Sequence, residues 1–135
     1  MSVHIEITGG KIDYNVRLKS RYTVIVGCSA SGKSFLVDLL ANPKRYPWYH
    51  SKVSDNYEVI ANVEDFKLVL RDPNFTTNKY IFIVDDDAAE YDNYIQVLLK
   101  ECKASCFIFM TRNDRVLGIN YGLTDVYEFV KVGNS

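Results

Sequence analysis

The chain has 135 residues, of which 47% are hydrophobic and 13% aromatic, and its formal net charge is −1. This length and apolar content predict one domain over residues 1–135, with a buried core of its own. The basic residues are scattered along the chain rather than clustered, which disfavours nucleic acid and anionic membranes as partners.

The apolar runs are too short for a membrane span. The longest, at 80–84 and 106–110, fall far below the roughly 20 residues that a span requires. The N-terminal residues also lack the basic and apolar regions of a secretory signal. The cysteines, Cys28, Cys102 and Cys106, show no metal-ligand spacing and suit free thiols in a reducing compartment. We therefore expect a cytoplasmic protein that is not anchored in a membrane.

The first predicted elements are strands. Apolar and polar residues alternate over 3–8 and again over 12–18, on either side of Gly9-Gly10, which predicts a β-hairpin. The next run, 22–26, loses the alternation and is apolar apart from Thr23. A strand with this pattern has both faces covered, so we expect it inside a sheet.

A short helix is predicted over 35–40, ending near Asn42 because Pro43 disfavours helical backbone at the residue before it. Residues 44–55 predict an irregular or partly helical insertion over the surface. This insertion contains a group of aromatic side chains and a histidine: Tyr46, Trp48, Tyr49 and His50. The group either packs the loop against the core or forms a surface for a nucleotide base or a protein partner.

Strands and helices alternate through the rest of the chain. The predicted strands lie at 57–61, 80–84, 106–110 and 126–132, and the predicted helices at 63–71 and within 87–103. Asn62 is the expected N-cap of the first of these helices. The strand, helix and strand between 80 and 110 have the spacing of a parallel crossover.

Residues 27–34, GCSASGKS, fit the phosphate-loop pattern GxxxxGK[ST] at every fixed position. A buried strand precedes the motif and a helix follows it, as such a loop requires; a plain strand-to-helix turn is the alternative. Backbone N–H groups and the helix N-terminus would bind phosphate oxygens. Lys33 would reach the β- and γ-phosphates, and the Ser34 hydroxyl would bind Mg²⁺. The predicted nucleotide-binding residues here are Gly27, Ser29, Ala30, Ser31, Gly32, Lys33 and Ser34.

Three aspartates follow the apolar run at 80–84. A phosphate loop needs an acidic residue at the end of a neighbouring strand to hold hydrated Mg²⁺, and Asp85 is in that position. Asp86 is where a carboxylate that activates water would be in a hydrolase. Asp87 suits the first turn of the following helix, and the alternative interpretation gives all three aspartates that role.

The two motifs together resemble the Walker A and Walker B motifs of the P-loop NTPases, in the branch that includes ABC, RecA-like and AAA-type ATPases. The resemblance implies an α/β, three-layer P-loop NTPase fold with a mostly parallel central sheet and an added N-terminal antiparallel β-hairpin. It implies a strand order of last strand, Walker A, sensor, Walker B and then the strand near Tyr57. The run at 106–110 matches the strand of that branch that ends in a polar sensor residue, and Thr111 or Arg112 would be that residue; the alternative is a polar residue that is merely exposed at the end of a strand.

The chain departs from this branch in two ways. Asp86 replaces the glutamate that many members place after the Walker B aspartate, and the ABC signature and the helical domain of AAA-type motors are absent. The resemblance therefore implies nucleotide binding more directly than hydrolysis.

ATP with Mg²⁺ is the expected nucleotide. The stretch 111–114, TRND, has arginine where the guanine-binding motif of GTPases has lysine, and the companion DxxG is missing. Three functions fit. The first is a small ATPase with Lys33 and Asp86 as catalytic residues. The second is a nucleotide-binding interaction module that hydrolyses little or nothing and acts through a protein partner or a homo-oligomer. The third is a kinase with residues 44–55 as a lid.

Overall fold

The fold is described by a computed structural model that covers residues 3–10, 13–18, 21–26, 33–62, 64–84, 92–111 and 126–128. The helices and strands are, in chain order, β1 (Val3–Thr8), β2 (Tyr14–Leu18), β3 (Tyr22–Val26), α1 (Lys33–Ala41), β4 (His50–Val53), β5 (Glu58–Ile60), α2 (Glu64–Arg71), β6 (Tyr80–Val84), α3 (Asp92–Glu101), β7 (Cys106–Thr111) and β8 (Val126–Glu128). The strands form two separate sheets.

The larger sheet has five parallel strands in the order β5-β6-β7-β3-β8. This is the strand order that the resemblance implies. Every residue of β6 is buried, as expected for an apolar run with both faces covered. The predicted parallel crossover between β6 and β7 through α3 is confirmed.

The smaller sheet is antiparallel, in the order β2-β1-β4. The predicted hairpin is confirmed, with Val3 opposite Leu18 and Ile7 opposite Tyr14. The prediction that 44–55 is an irregular or partly helical surface insertion is wrong for β4, which pairs with β1 from Thr8 opposite His50 onward. The β4 sequence, HSKV, has no apolar alternation to signal a strand. Its backbone pairs because the second edge of β1 is available to it.

The antiparallel sheet overturns the predicted fold class. The helices α2 and α3 cover one face of the parallel sheet through Phe66, Ile95 and Leu98. The other face is covered by α1 together with the inner face of the antiparallel sheet, which supplies Ile5 and Ile7 among others. The predicted α/β three-layer P-loop NTPase fold is therefore wrong, because a second sheet takes the place of a full helical layer and the hairpin is not an addition to the central sheet.

The physical reason lies in the alternating pattern of β1. Its alternate residues Val3, Ile5 and Ile7 are each 1% exposed, so one complete face of the strand is buried. Packing that face against the parallel sheet removes this apolar surface from water. The three described α-helices are short, with nine, eight and ten residues.

The helix boundaries follow the sequence signals. The helix α1 ends at Ala41, before Asn42-Pro43. At the start of α2, the Oδ1 atom of Asn62 accepts a hydrogen bond from the backbone N–H of Glu64 at 3.3 Å, so the predicted cap is confirmed. Within the described residues, no helix combines the length and the apolar character needed to cross a membrane.

A hydrogen-bond network lies at the amino ends of the parallel strands. The guanidinium of Arg21 donates to the carbonyls of Leu99 and Cys102, at 2.9 and 2.8 Å, at the C-terminus of α3. The buried Ser105 hydroxyl accepts from the Tyr80 N–H at 3.0 Å and donates to the Asn78 carbonyl at 3.2 Å. Polar groups at this edge are therefore engaged in holding helix and strands together. The candidate residues follow the strands at the opposite, carboxyl edge.

Candidate functional site

The candidate site begins where β3 passes into α1. β3 ends at Val26 and α1 begins at Lys33, so the motif at 27–34 lies between an inner strand of the parallel sheet and a nine-residue helix. Lys33 and Ser34 form the first turn of α1, where backbone N–H groups have no partner within the helix. Their side chains, and all of residues 27–32, lie outside the described residues.

The N-terminus of α1 is electrostatically suited to an anion. Its first turn contains no acidic residue, so its positive dipole end is not neutralised by the helix's own side chains. The helix α2 is different, with Glu64 and Asp65 in its first turn. Leu36 and Leu39, 2% and 5% exposed, fix α1 against the sheets. A phosphate bound at this end would therefore meet a helix held in place by its buried face.

The strand order brings the two predicted halves of the site to one edge. β7 lies between β3 and β6, with Val26 opposite Thr111 and Val84 opposite Phe109. Adjacent strands are about 4.8 Å apart, so β3 and β6 are about 10 Å apart in the sheet. Gly27 follows Val26 directly in the chain, and Asp85 follows Val84.

The aspartates predicted near the metal follow β6, and the predicted sensor residue ends β7. Asp85, Asp86 and Asp87 lie outside the described residues, as does the side chain of Thr111, whose backbone ends β7. Among the residues whose side chains are described, no group of three His, Cys, Asp or Glu could hold a metal ion. The predicted ligands Ser34 and Asp85 are not among those residues. A serine hydroxyl and a carboxylate are oxygen ligands of the kind that Mg²⁺ prefers.

An aromatic cluster lies beside the first turns of α1. Phe35, the residue after Ser34, contacts Tyr46 and Tyr49 edge to face, with ring centroids 5.4 and 5.8 Å apart. Trp48 contacts both tyrosines at 6.1 and 6.3 Å. We name Phe35, Tyr46, Trp48 and Tyr49 the aromatic cluster. Tyr46 and Tyr49 anchor the segment, as one of the two sequence interpretations has it, whereas the side chain of Trp48 is 58% exposed.

Asp38 ties this cluster to α1. The Tyr46 hydroxyl donates a hydrogen bond to Asp38 Oδ2, and the Asn42 side-chain amide donates to Oδ1 at 2.8 Å. The hydrogen bond from Tyr46 has the largest effect on Asp38, followed by the bond from Asn42. Together with the charge of Arg45, they hold the pKa of the Asp38 carboxyl below its usual value. Sequence reasoning missed Phe35 and Asp38, because nothing in the sequence shows that residues 42–49 fold back along the helix.

Tyr14 is a core residue. Its side chain is 4% exposed, and its ring is 6.5 Å from that of Phe35. Burial, which is the larger effect, and the charge interaction with the neighbouring Tyr49 raise the pKa of Tyr14 to about 12. The alternation with Val16 and Leu18 in β2 correctly predicts this packing.

Comparisons with known proteins identify no relative of this chain. The chain matches no family model, no curated protein and no solved structure. The functional argument therefore depends on the motif, on the order of the parallel strands and on the chemistry of the residues at their carboxyl ends.

Proposed function

We propose that residues 27–34 bind the phosphates of a nucleotide, with ATP–Mg²⁺ preferred, and that the chain is a small ATPase of the P-loop NTPase type. One observation carries the proposal. The strand before GxxxxGK[ST] and the strand before Asp85 are parallel and separated by β7 alone. This arrangement supports a common site for phosphate and metal without requiring the three-layer fold.

Each proposed ligand has a role set by its chemistry. The unpaired N–H groups of the first turn of α1 would donate to phosphate oxygens, reinforced by the helix dipole. The Lys33 ammonium would neutralise charge on the β- and γ-phosphates, and the Ser34 hydroxyl and Asp85 would hold Mg²⁺. Bound Mg²⁺ supplies charge neutralisation and orients the terminal phosphate.

Hydrolysis would depend on Asp86. A carboxylate next to the metal-side aspartate can accept a proton from the attacking water, provided that it reaches that water. Asp86 is one methylene shorter than the glutamate found at this position in many ATPases of the branch that the two motifs resemble. Thr111, at the end of the strand between the two motifs, would sense the terminal phosphate.

The second candidate function is a nucleotide-binding interaction module with little or no hydrolysis. The short side chain of Asp86 favours it, and so does the exposed indole of Trp48, since tryptophan is enriched at the energetic centres of protein interfaces. Such a module would act through a protein partner or through a second copy of the chain. Either function would operate in the cytoplasm, a proposal based on Cys102 and Cys106, which are buried and form no disulfide.

A kinase is the third candidate, and the observed pairing of β4 counts against it. A kinase lid must close over its substrate, yet the only predicted lid, 44–55, contributes β4 to the antiparallel sheet. This segment is further held by the contacts of Tyr46 and Tyr49 with Phe35.

Phosphate release, measured beside nucleotide binding, separates the first two functions. We expect the wild-type protein to bind ATP more tightly than GTP in Mg²⁺ and to release phosphate under the same conditions. Asp86→Asn should keep ATP binding and lose phosphate release, whereas Asp86→Glu should retain release. Binding without release in both wild type and Asp86→Glu would select the interaction module.

A further inference from the structure

We propose that occupancy of the phosphate site at α1 is transmitted through Phe35 to the surface around Trp48. This inference rests on the proposed nucleotide binding and adds a regulated output to it. Each link is a ring contact or hydrogen bond between described side chains, from the first turns of α1 to an exposed indole.

The chain of contacts starts one residue from the predicted metal ligand. Phe35 follows Ser34, and its ring contacts Tyr46 and Tyr49 as well as the buried Tyr14. Packed side chains transmit small displacements because protein interiors have few voids into which a ring can move. A change in the first turn of α1 on phosphate binding should therefore move the Phe35 ring against the two tyrosines.

Hydrogen bonds and a packing contact also hold Tyr46 and Tyr49, the residues that receive this displacement. The Tyr46 hydroxyl is bonded to Asp38, and the Tyr49 N–H donates to the Tyr46 carbonyl at 3.1 Å. A Cβ on Gly10 would lie 2.0 Å from the Tyr49 ring, so the tyrosine already fills the space above the glycine. Tyr46 and Tyr49 should therefore respond together when Phe35 moves.

Trp48 is the outward end of these contacts. Its indole contacts Tyr46 and Tyr49 and is 58% exposed, so a change in their rings alters its exposure to solvent. The chain has one tryptophan, which makes intrinsic fluorescence specific to this position. A surface of this kind would let a small protein present different faces with and without nucleotide.

The test is a titration of the intact chain with ATP–Mg²⁺, followed by Trp48 fluorescence and by calorimetry on the same sample. We expect a saturable fluorescence change with the same Kd as the calorimetric one. Phe35→Leu should retain ATP affinity within about threefold of wild type, since it removes no proposed ligand, and should lose most of the fluorescence change. Phe66→Leu, a matched replacement against the opposite face of the parallel sheet, should keep that change.

The outcomes distinguish this inference from the proposed function. Absence of calorimetric binding would overturn the proposed function. Binding without a fluorescence change, or an undiminished change in Phe35→Leu, would overturn only the transmission through Phe35. Phe35→Met, which removes the ring but keeps a flexible apolar side chain, provides the same test if Phe35→Leu does not fold.

Discussion

Val26 and Thr111 are backbone partners at the carboxyl ends of the adjacent parallel strands β3 and β7. The pairing aligns the residue before the GxxxxGK[ST] motif with the residue predicted to sense a terminal phosphate. Because ligands of open parallel sheets bind at the carboxyl ends of the strands, this edge is where the motif can act. The opposite edge is occupied by the contacts of Arg21 and Ser105.

Ser34 should determine how strongly ATP binding depends on Mg²⁺. Ser34→Ala removes the proposed hydroxyl ligand, so we expect about a tenfold loss of ATP affinity in Mg²⁺, equivalent to about 1.4 kcal/mol. Ser34→Thr keeps the hydroxyl and should bind as wild type does. Calorimetric titrations with Mg²⁺ and with a chelator measure the difference. Equal losses in both conditions would contradict a metal-binding role for Ser34.

Gly9→Ala should destabilise the fold more than Gly10→Ala. Gly9 has φ +112°, and a Cβ there would lie 2.3 Å from the backbone carbonyl oxygen of Trp48. We expect a loss of about 2 kcal/mol in the free energy of unfolding, from backbone strain and this clash. Gly10 has no positive φ, and its Cβ would meet the Tyr49 side chain rather than backbone, so the loss there should be smaller. Urea unfolding of the two variants checks the order, and a Gly9→Ala protein as stable as wild type would disprove the described turn.

The core between α2 and the parallel sheet gives a direct test of packing. Phe66 is 0% exposed and contacts the Phe82 ring edge to face at 5.7 Å, so Phe66→Ala should cost about 3–5 kcal/mol in unfolding free energy. Leu68 is two residues away on the same helix and 57% exposed. Leu68→Ala should change stability by less than about 0.5 kcal/mol. Similar losses for both variants in denaturant unfolding would mean that α2 presents a different face to the sheet.

The hydrogen bond between Asp38 and Tyr46 should affect the stability of the fold at acid pH. The Tyr46 hydroxyl, Asn42 and Arg45 lower the pKa of Asp38 in the folded state. The carboxylate therefore stabilises the fold above the ordinary aspartate pKa of about 3.9, and this contribution is lost as the pH falls through the lowered value.

Tyr46→Phe removes the largest of these effects, so the Asp38 pKa should rise toward its ordinary value. An NMR titration of the carboxyl carbon measures that rise. Tyr49→Phe is the matched control, because the structure gives its hydroxyl no bond to Asp38, and it should leave the titration unchanged. A pKa that is the same in Tyr46→Phe and wild type would show that the hydroxyl is not bonded there in solution.

Much of the parallel sheet could be predicted from local patterns. A run such as Tyr80–Val84 is apolar at every position because neither face meets water, and all of its residues are buried. Asn62, Pro43 and the buried positions Ile95 and Leu98 likewise mark helix boundaries and faces through short-range chemistry.

The division into two sheets could not be predicted in the same way. The alternation of Val3, Ile5 and Ile7 shows that one face of β1 is buried, but it does not identify the surface that covers it. The strand β4 depends on a free edge of β1 more than on its own four residues, of which His50, Ser51 and Lys52 are exposed. The arrangement of the sheets is therefore a property of tertiary packing.

The candidate site shows the same limit. Lys33, Ser34 and Asp85 could be selected because the spacing of a phosphate loop and an acidic strand end is a local signal. The contacts of Phe35 with Tyr46 and Tyr49 join residues more than ten positions apart. They exist because residues 42–49 turn back along α1, which no short motif records.

The most direct test of the central claim is calorimetric titration of the folded chain with ATP in Mg²⁺, for wild type, Lys33→Ala and Lys44→Ala. Lys33 opens α1, whereas Lys44 is an exposed cation beyond its end. We predict saturable binding by wild type and Lys44→Ala, and a loss of at least about tenfold in affinity for Lys33→Ala, because a charge-assisted contact to phosphate is removed. A folded wild-type protein that binds no nucleotide, or equal binding by all three proteins, would contradict the proposed phosphate site.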